Sequence, residues 1–200
     1  YLYSSNPTLT NVTISNNMTS SGGGMYLSSS SNPILTNVTI SNNTSSSGGG
    51  MRLSNSNPIL TNVTIANNTA GIYGGGGMYL NNSDPNLTNS IMWGNSPESI
   101  VFNSNEQPLI TYSDIEGGFG GEGNINDNPQ FTDPDNGDYT LMETSPCIDT
   151  GTIIENMEYC GEAPDMGAYE YISEDCLGCT DELSCNYDDT VLQDDGSCEY

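Results

Sequence analysis

The sequence predicts an all-β fold: a right-handed parallel β-helix, or solenoid, of coils about 25–27 residues long, closed by an acidic, disulfide-bonded C-terminal cap and tail. Three observations predict it. A long phrase recurs nearly verbatim along the first half of the chain. Short apolar stretches within each copy alternate with Thr at period two, as half-buried strands do. No stretch carries a helical 3.6-residue period.

The recurring phrase is NPTLTNVTISNNMTSSGGG at residues 6–24, NPILTNVTISNNTSSSGGG at 32–50 and NPILTNVTIANNTAGIYGGGG at 57–77. A weaker copy, DPNLTNSIMWGN, covers 84–95, and a degenerate one, QPLITYSDIEGG, is led by Pro108. Pro7, Pro33, Pro58 and Pro85 mark steps of 26, 25 and 27 residues. Each unit holds two strand-like pieces, an MYL piece (Met25–Leu27, Met51–Leu53, Met78–Leu80) and a VTI piece (Val12–Ile14, Val38–Ile40, Val63–Ile65). Asn-Pro and Gly-Gly turns separate them.

A unit this short cannot bury a core alone. Stacked units put each Val or Ile on its counterpart one coil away, at a spacing of about 4.8 Å. The right hand follows from the preference of parallel crossovers. Asn11, Asn37, Asn62 and Asn89 precede the VTI piece, and Asn16, Asn42 and Asn67 follow it. These columns are expected to stack and to satisfy turn backbone. The Gly runs are expected to supply positive-φ corners. No Lys follows them, so they are not phosphate loops.

Charge divides the chain. Residues 1–83 carry a single charged residue, Arg52, and all 26 acidic residues lie from Asp84 onward, for a net charge of −25. One cation excludes a nucleic-acid partner, and an anionic membrane surface would repel the chain. No apolar run is long enough for membrane insertion. Copies of the chain itself, glycans or another cell surface, and cations remain as partners.

The six Cys all lie between Cys147 and Cys198. An even count in a short stretch predicts disulfides and an oxidising compartment rather than a four-thiolate zinc site. Cys147 and Cys160 are expected to pair. Cys176, Cys179, Cys185 and Cys198 then pair among themselves in one of three ways. The expected division is 1–116 for the coils, 117–171 for a capping segment and 172–200 for a small Cys-rich module. Trp93, Phe102, Phe119, Phe131 and Tyr139 are bulky enough to plug the last coil. The chain starts in mid-pattern at Tyr1, as a mature or truncated product would.

The phrase TLTNVTISNN…GGGMYL resembles the right-handed parallel β-helix repeat proteins of bacterial surfaces, within the pectate-lyase-like fold group. The stretch LTNSIMWGNSPESI…ITYSDIEGG…DMGAYEY is similar to the closing part of that family's helix. Together they cover roughly residues 1–171. The tail CLGCTDELSCNYDDTVLQDDGSCEY is similar to a Cys-rich module near the C-termini of surface proteins exported by the type IX route. These resemblances imply the fold, an extracellular or cell-surface location and a further sorting segment. They imply no activity.

Candidate chemistry is sparse. A polysaccharide lyase needs cationic residues around an acidic sugar, and Arg52 stands alone. A hydrolase needs a carboxylate pair on one face. The first three coils hold no carboxylate, whereas Asp114 and Glu116 have period-two spacing that would put them on one face. The chain is therefore expected not to be an enzyme. Calcium is the one cofactor the sequence suggests, through Asp133, Asp135 and Asp138 in DPDNGD and Asp188, Asp189, Asp194 and Asp195 in the tail. Neither group fits an EF-hand loop, because Gly137 stands at a ligand position. Sequons begin at Asn11, Asn17, Asn37, Asn42, Asn62 and Asn67, making these candidate glycosylation sites. Thr13, Thr39 and Thr64 form one outward column, too narrow for an ice-binding array. The expected role is a structural subunit of a surface fibre or adhesin, stacking head to tail. The alternative is a carbohydrate-binding or carbohydrate-cleaving surface protein.

Overall fold

The computed structural model describes residues 1–72, 74–103 and 105–200. Among them, two parallel sheets wind into a solenoid of about four turns. The short-strand sheet stacks Leu2–Tyr3, Met25–Ser28, Met51–Ser54, Met78–Asn81 and Ile100–Phe102 in that order. The long-strand sheet stacks Thr8–Ser15, Ile34–Ser41 and Ile59–Ala66. It continues through Asn86–Thr88 with Ile91–Trp93, and Leu109–Thr111 with Asp114–Ile115.

The register is that of the repeat. Met25, Met51, Met78 and Ile100 align, as do Leu27, Leu53, Leu80 and Phe102. Across the interior, Leu35 stacks on Leu60, Val38 on Val63 and Ile40 on Ile65. Most of these side chains have no exposed surface. Each fully buried Leu or Ile contributes roughly 1.5–3 kcal/mol, so successive coils are held by several such rows.

The long strands bend once in the middle. Asn11, Asn37, Asn62 and Asn89 lie at φ between 50° and 55°, and the ladder skips them, passing from Thr10 and Thr36 directly to Val12 and Val38. Asn16, Asn42 and Asn67 also take left-handed φ, at the next corner. Asn tolerates this region better than other residues with a Cβ. The hydrogen-bonded column is the neighbouring one: Asn17, Asn43, Asn68 and Asn95. In it the Asn43 N–H and Nδ2 donate to Asn68 Oδ1 at 3.0 and 3.0 Å, and Asn68 donates likewise to Asn95 Oδ1 at 3.1 and 3.1 Å. Each buried Nδ2 also reaches a strand carbonyl, Asn43 to Ile14 at 2.9 Å and Asn68 to Ile40 at 2.8 Å.

The Gly runs supply the expected positive-φ corners only in part, at Gly22 and Gly48 among the described residues. Others are Gly because coils touch there: a Cβ on Gly24 or Gly50 would lie 2.7 Å from the carbonyl oxygen of Gly50 or Gly77.

Residues after the last coil do more than plug its end. They return along the outward face of the long-strand sheet and build a second core from Ala66, Ile91, Phe131, Tyr139, Leu141, Cys147 and Met166. Tyr139 Oη accepts from Asn42 Nδ2 (3.1 Å) and Asn67 Nδ2 (3.3 Å), and the Ala168 N–H donates to Thr64 Oγ1 (2.9 Å). Asn89 and Thr152 exchange two hydrogen bonds, at 2.9 and 2.8 Å. The Thr column is thereby covered: Thr13 is exposed, but Thr39 and Thr64 are buried. Of the expected plug residues, Phe119 packs on the solenoid core, whereas Trp93, Phe131 and Tyr139 belong to the second core. Among the described residues no helix is long and apolar enough to cross a membrane.

Candidate functional site

The repeat is broken at one corner, and a groove opens there. The columns that read Gly23–Gly49–Gly76 and Gly24–Gly50–Gly77 end in Glu98 and Ser99, as the bonds from Gly76 N–H to Glu98 O (2.7 Å) and Met78 N–H to Ser99 O (2.8 Å) show. Glycine is required wherever another coil follows. Here none follows among the described residues, and side chains return. The groove beside this corner has a volume of about 480 Å³ and is lined by Ile100, Phe102, Ile115 and Phe119, with Glu98 and Glu116 among its polar residues. The Phe102 and Phe119 rings lie 6.4 Å apart, and Phe102 is 40% exposed. Ser99 Oγ is buried with no hydrogen-bond partner.

Asp114 and Glu116 do not form a carboxylate pair. Asp114 sits in the outward column below Ile91, fully buried, and accepts from Cys147 Sγ at 3.4 Å and from the Asp127 N–H at 3.2 Å. Burial raises its pKa to about 6. Glu116 lies in the groove and accepts from the Gly94 N–H at 2.7 Å. Two further carboxylates hold the return segment. Asp165 accepts from the backbone N–H groups of Asp149 (2.9 Å) and Tyr171 (2.6 Å). Glu170 accepts from those of Cys160 (3.0 Å) and Asp165 (3.2 Å). Burial raises Asp165 to about 6, and burial together with the Asp165 charge raises Glu170 to about 7. The sequence reading missed both; the signal available was their position in the DMGAYEY closing stretch.

The calcium candidates do not converge. Among the described residues no group of three or more His, Cys, Asp and Glu side chains could hold a metal ion. Asp133 accepts from Asn136 Nδ2, Asp138 from Thr140, Asp188 from Thr190, Asp194 from the Gly196 N–H and Asp195 from the Ser197 N–H. Asp135 and Asp189 are exposed. The five bonded carboxylates stabilise their own turns.

Disulfide pairing differs from the expectation. Cys160 bonds Cys176, with Cα atoms 5.9 Å apart, and Cys179 bonds Cys198, at 4.9 Å. Cys147 is a free thiol because its turn packs it against Asp114 in the second core, and burial pushes its pKa up. Cys185 is a free, exposed thiol. The glycan candidates also separate. Asn11 and Asn17 are exposed and Asn37 is half-buried, whereas Asn62 is 7% exposed with Nδ2 against Met157 Sδ. Asn42 and Asn67 commit Nδ2 to Tyr139, so these three amides are poor acceptors for a glycan in the folded chain.

Arg52 stands on the outside of the short-strand sheet between Tyr26 and Tyr79, its guanidinium carbon 5.4 Å from each ring centroid, and Nη1 donates to Ser21 Oγ at 2.7 Å.

Coils in register, one buried row per strand position and a terminal cap define a parallel β-helix. A family model described as right-handed beta helix region matches residues 1–157, and the chain belongs to that family. No curated protein matches the chain, and no solved structure matches it.

Proposed function

We propose that the chain is a structural rod of an exported, surface-displayed protein, a fibre or adhesin component rather than an enzyme. The observation that carries this reading is the use made of its three pKa-raised carboxylates. Asp114 and Asp165 are buried away from any substrate, and they and the half-buried Glu170 each accept from the chain's own backbone, so they serve to hold the return segment. The longest flat face of the solenoid is likewise occupied by the return segment. Two disulfides near the C-terminus fit a non-cytosolic compartment, and the tail's resemblance to a type IX export module supports the cell surface. A discrete rod is favoured over a head-to-tail filament. A coil added in register at the last corner would bring its carbonyls against Cβ atoms of Glu98 and Ser99, where the inner coils have Gly.

Electron microscopy of the secreted material, with and without a calcium chelator, tests this. Separate short rods in both conditions are expected. Long fibres lost on chelation would show instead a calcium-joined polymer. Release of reducing or unsaturated ends from a panel of polysaccharides would overturn the non-enzymatic reading. Carbohydrate binding is a second reading, favoured by the outward Tyr26–Arg52–Tyr79 row, and a glycan array with Arg52→Ala as control tests it.

A further inference from the structure

We propose that the edge strand Ile100–Phe102 and its groove hold an extended segment of a partner protein, one with apolar side chains two residues apart and a positive charge directed at Glu98 and Glu116. This goes beyond the reading of the chain as a rod and names what the rod's end binds.

Backbone geometry comes first. Among the described residues Ile100–Phe102 is the edge of its sheet and pairs with Met78–Asn81 alone. In a parallel ladder alternate residues bond to opposite neighbours. The bonds from Met78 N–H to Ser99 O and from Asn103 N–H to Leu80 O fix the phase, so the N–H and C=O groups of Ile100 and Phe102 face away from the sheet. The long-strand sheet at the same end is closed by the chain itself. The Tyr112 N–H donates to Glu122 O at 2.7 Å, the Ile125 N–H to Ser113 O at 3.0 Å, and Asn124 Nδ2 to Ile110 O at 2.9 Å. The chain therefore supplies half of a closing coil and leaves the other half open.

The open half has the shape and chemistry of a strand site. Phe102 ends the Leu27–Leu53–Leu80 row and lacks the apolar cover that each of those residues has. Ser99 Oγ is buried beside the edge with no partner, available to a backbone group of an added strand. The Cβ atoms of Glu98 and Ser99 obstruct a full coil but not a single strand that leaves the groove at this corner. Charge selects the occupant. The chain's one Lys or Arg side chain is Arg52, already stacked between two Tyr rings, so a second copy offers little to two carboxylates. A basic partner segment matches them, and strand addition supplies main-chain bonds for affinity and side-chain rows for specificity.

The test uses a fluorescein-labelled peptide, Lys-Gly-Met-Tyr-Leu-Ser, titrated into the full chain and followed by anisotropy and amide NMR. Saturable binding is expected, with shifts at the Ile100 and Phe102 amides. Affinity should fall about tenfold in the Glu98→Gln/Glu116→Gln double variant and about tenfold in Phe102→Ser, with each variant still folded by circular dichroism at the assay temperature. A peptide with Ser in place of Met and Leu should not bind. The proposal is overturned by no saturation at about 1 mM peptide, by binding indifferent to these variants, or by competition from a neutral oligosaccharide. Loss of chain self-association in Phe102→Ser with no peptide binding would assign the groove to a second copy instead.

Discussion

Replacing Asn68 with Ala tests whether the buried Asn column holds the coils together. Asn68 Oδ1 accepts from both the backbone N–H and Nδ2 of Asn43, and its own Nδ2 donates to Ile40 O and to Asn95 Oδ1. Truncation orphans the buried N–H of Asn43 and removes the side-chain bonds to the Ile40 carbonyl and to Asn95 Oδ1. The orphaned N–H costs roughly 1–3 kcal/mol and each lost bond about 1 kcal/mol, so the loss is about 4 kcal/mol. For a chain of this size that lowers the melting temperature by on the order of 8–16 °C. Asn17→Ala is the internal control. Asn17 is exposed, and the Asn43 Oδ1 it contacts would keep the Asn17 N–H at 3.0 Å, so that variant should lose no more than about 1 kcal/mol. Urea and thermal unfolding followed by circular dichroism give both values. Equal losses at the two positions, or a loss below about 1 kcal/mol at Asn68, would show that the column contributes no more than ordinary surface bonds.

Acidification should stabilise the fold. Asp114, Asp165 and Glu170 have folded pKa values raised by burial to about 6, 6 and 7. The folded state therefore binds more protons than the unfolded one, and stability present near pH 4 is lost as pH rises through 6–7; a melting temperature no higher at pH 5 than at pH 8, at fixed ionic strength, would contradict this. Thiol alkylation should label Cys185 in the native protein and Cys147 only after unfolding, with peptide mapping returning Cys160–Cys176 and Cys179–Cys198. Gly50→Ala should destabilise by about 3 kcal/mol or more, because the new Cβ meets Gly77 O at 2.7 Å and Ile65 Cγ2 at 3.0 Å; a melting temperature within error of the parent would refute the close-contact account. Asn57→Asp should place a second carboxylate next to Asp84 in one column and cost about 1 kcal/mol, a loss that added salt should reduce.

The coils were legible because the rows repeat residue for residue: Val12, Val38 and Val63 can do nothing but align once the Pro spacing is seen. Which Asn column bonds was not legible. Asn16–Asn17 and Asn42–Asn43 are alike as letters, and only the left-handed turn at the first of each pair rotates the second inward. Nor could spacing reveal that residues beyond 117 return along Thr39 and Thr64. That contact joins positions as distant as Thr64 and Ala168 and has no periodic signature. The Cys pairing failed for the same reason, since the return path carries Cys147 into a core and leaves Cys160 beside Cys176. The groove did have a signal. Where three coils end their loop in Gly-Gly, the fourth reads Pro97-Glu98-Ser99, and a Cβ in a column that forbids one marks the last coil.

The charge division of the sequence follows from the same stacking. Equivalent side chains in successive coils lie about 4.8 Å apart, so a charge repeated in every coil would face its copies above and below. The inner coils avoid this with neutral Asn, Ser and Thr columns, and their one charge, Arg52, is flanked by Tyr26 and Tyr79 rather than by another ion. Where carboxylates enter a column they do so once and late. Asp84 follows Asn6, Asn32 and Asn57 and accepts from the Gln107 N–H, and Asp114 follows Thr13, Thr39, Thr64 and Ile91 beneath the return segment. Ladder bonding between coils thus restricts the repeat to neutral polar residues. Apart from these single late entries, acids are left to the cap, the tail and the rim of the groove.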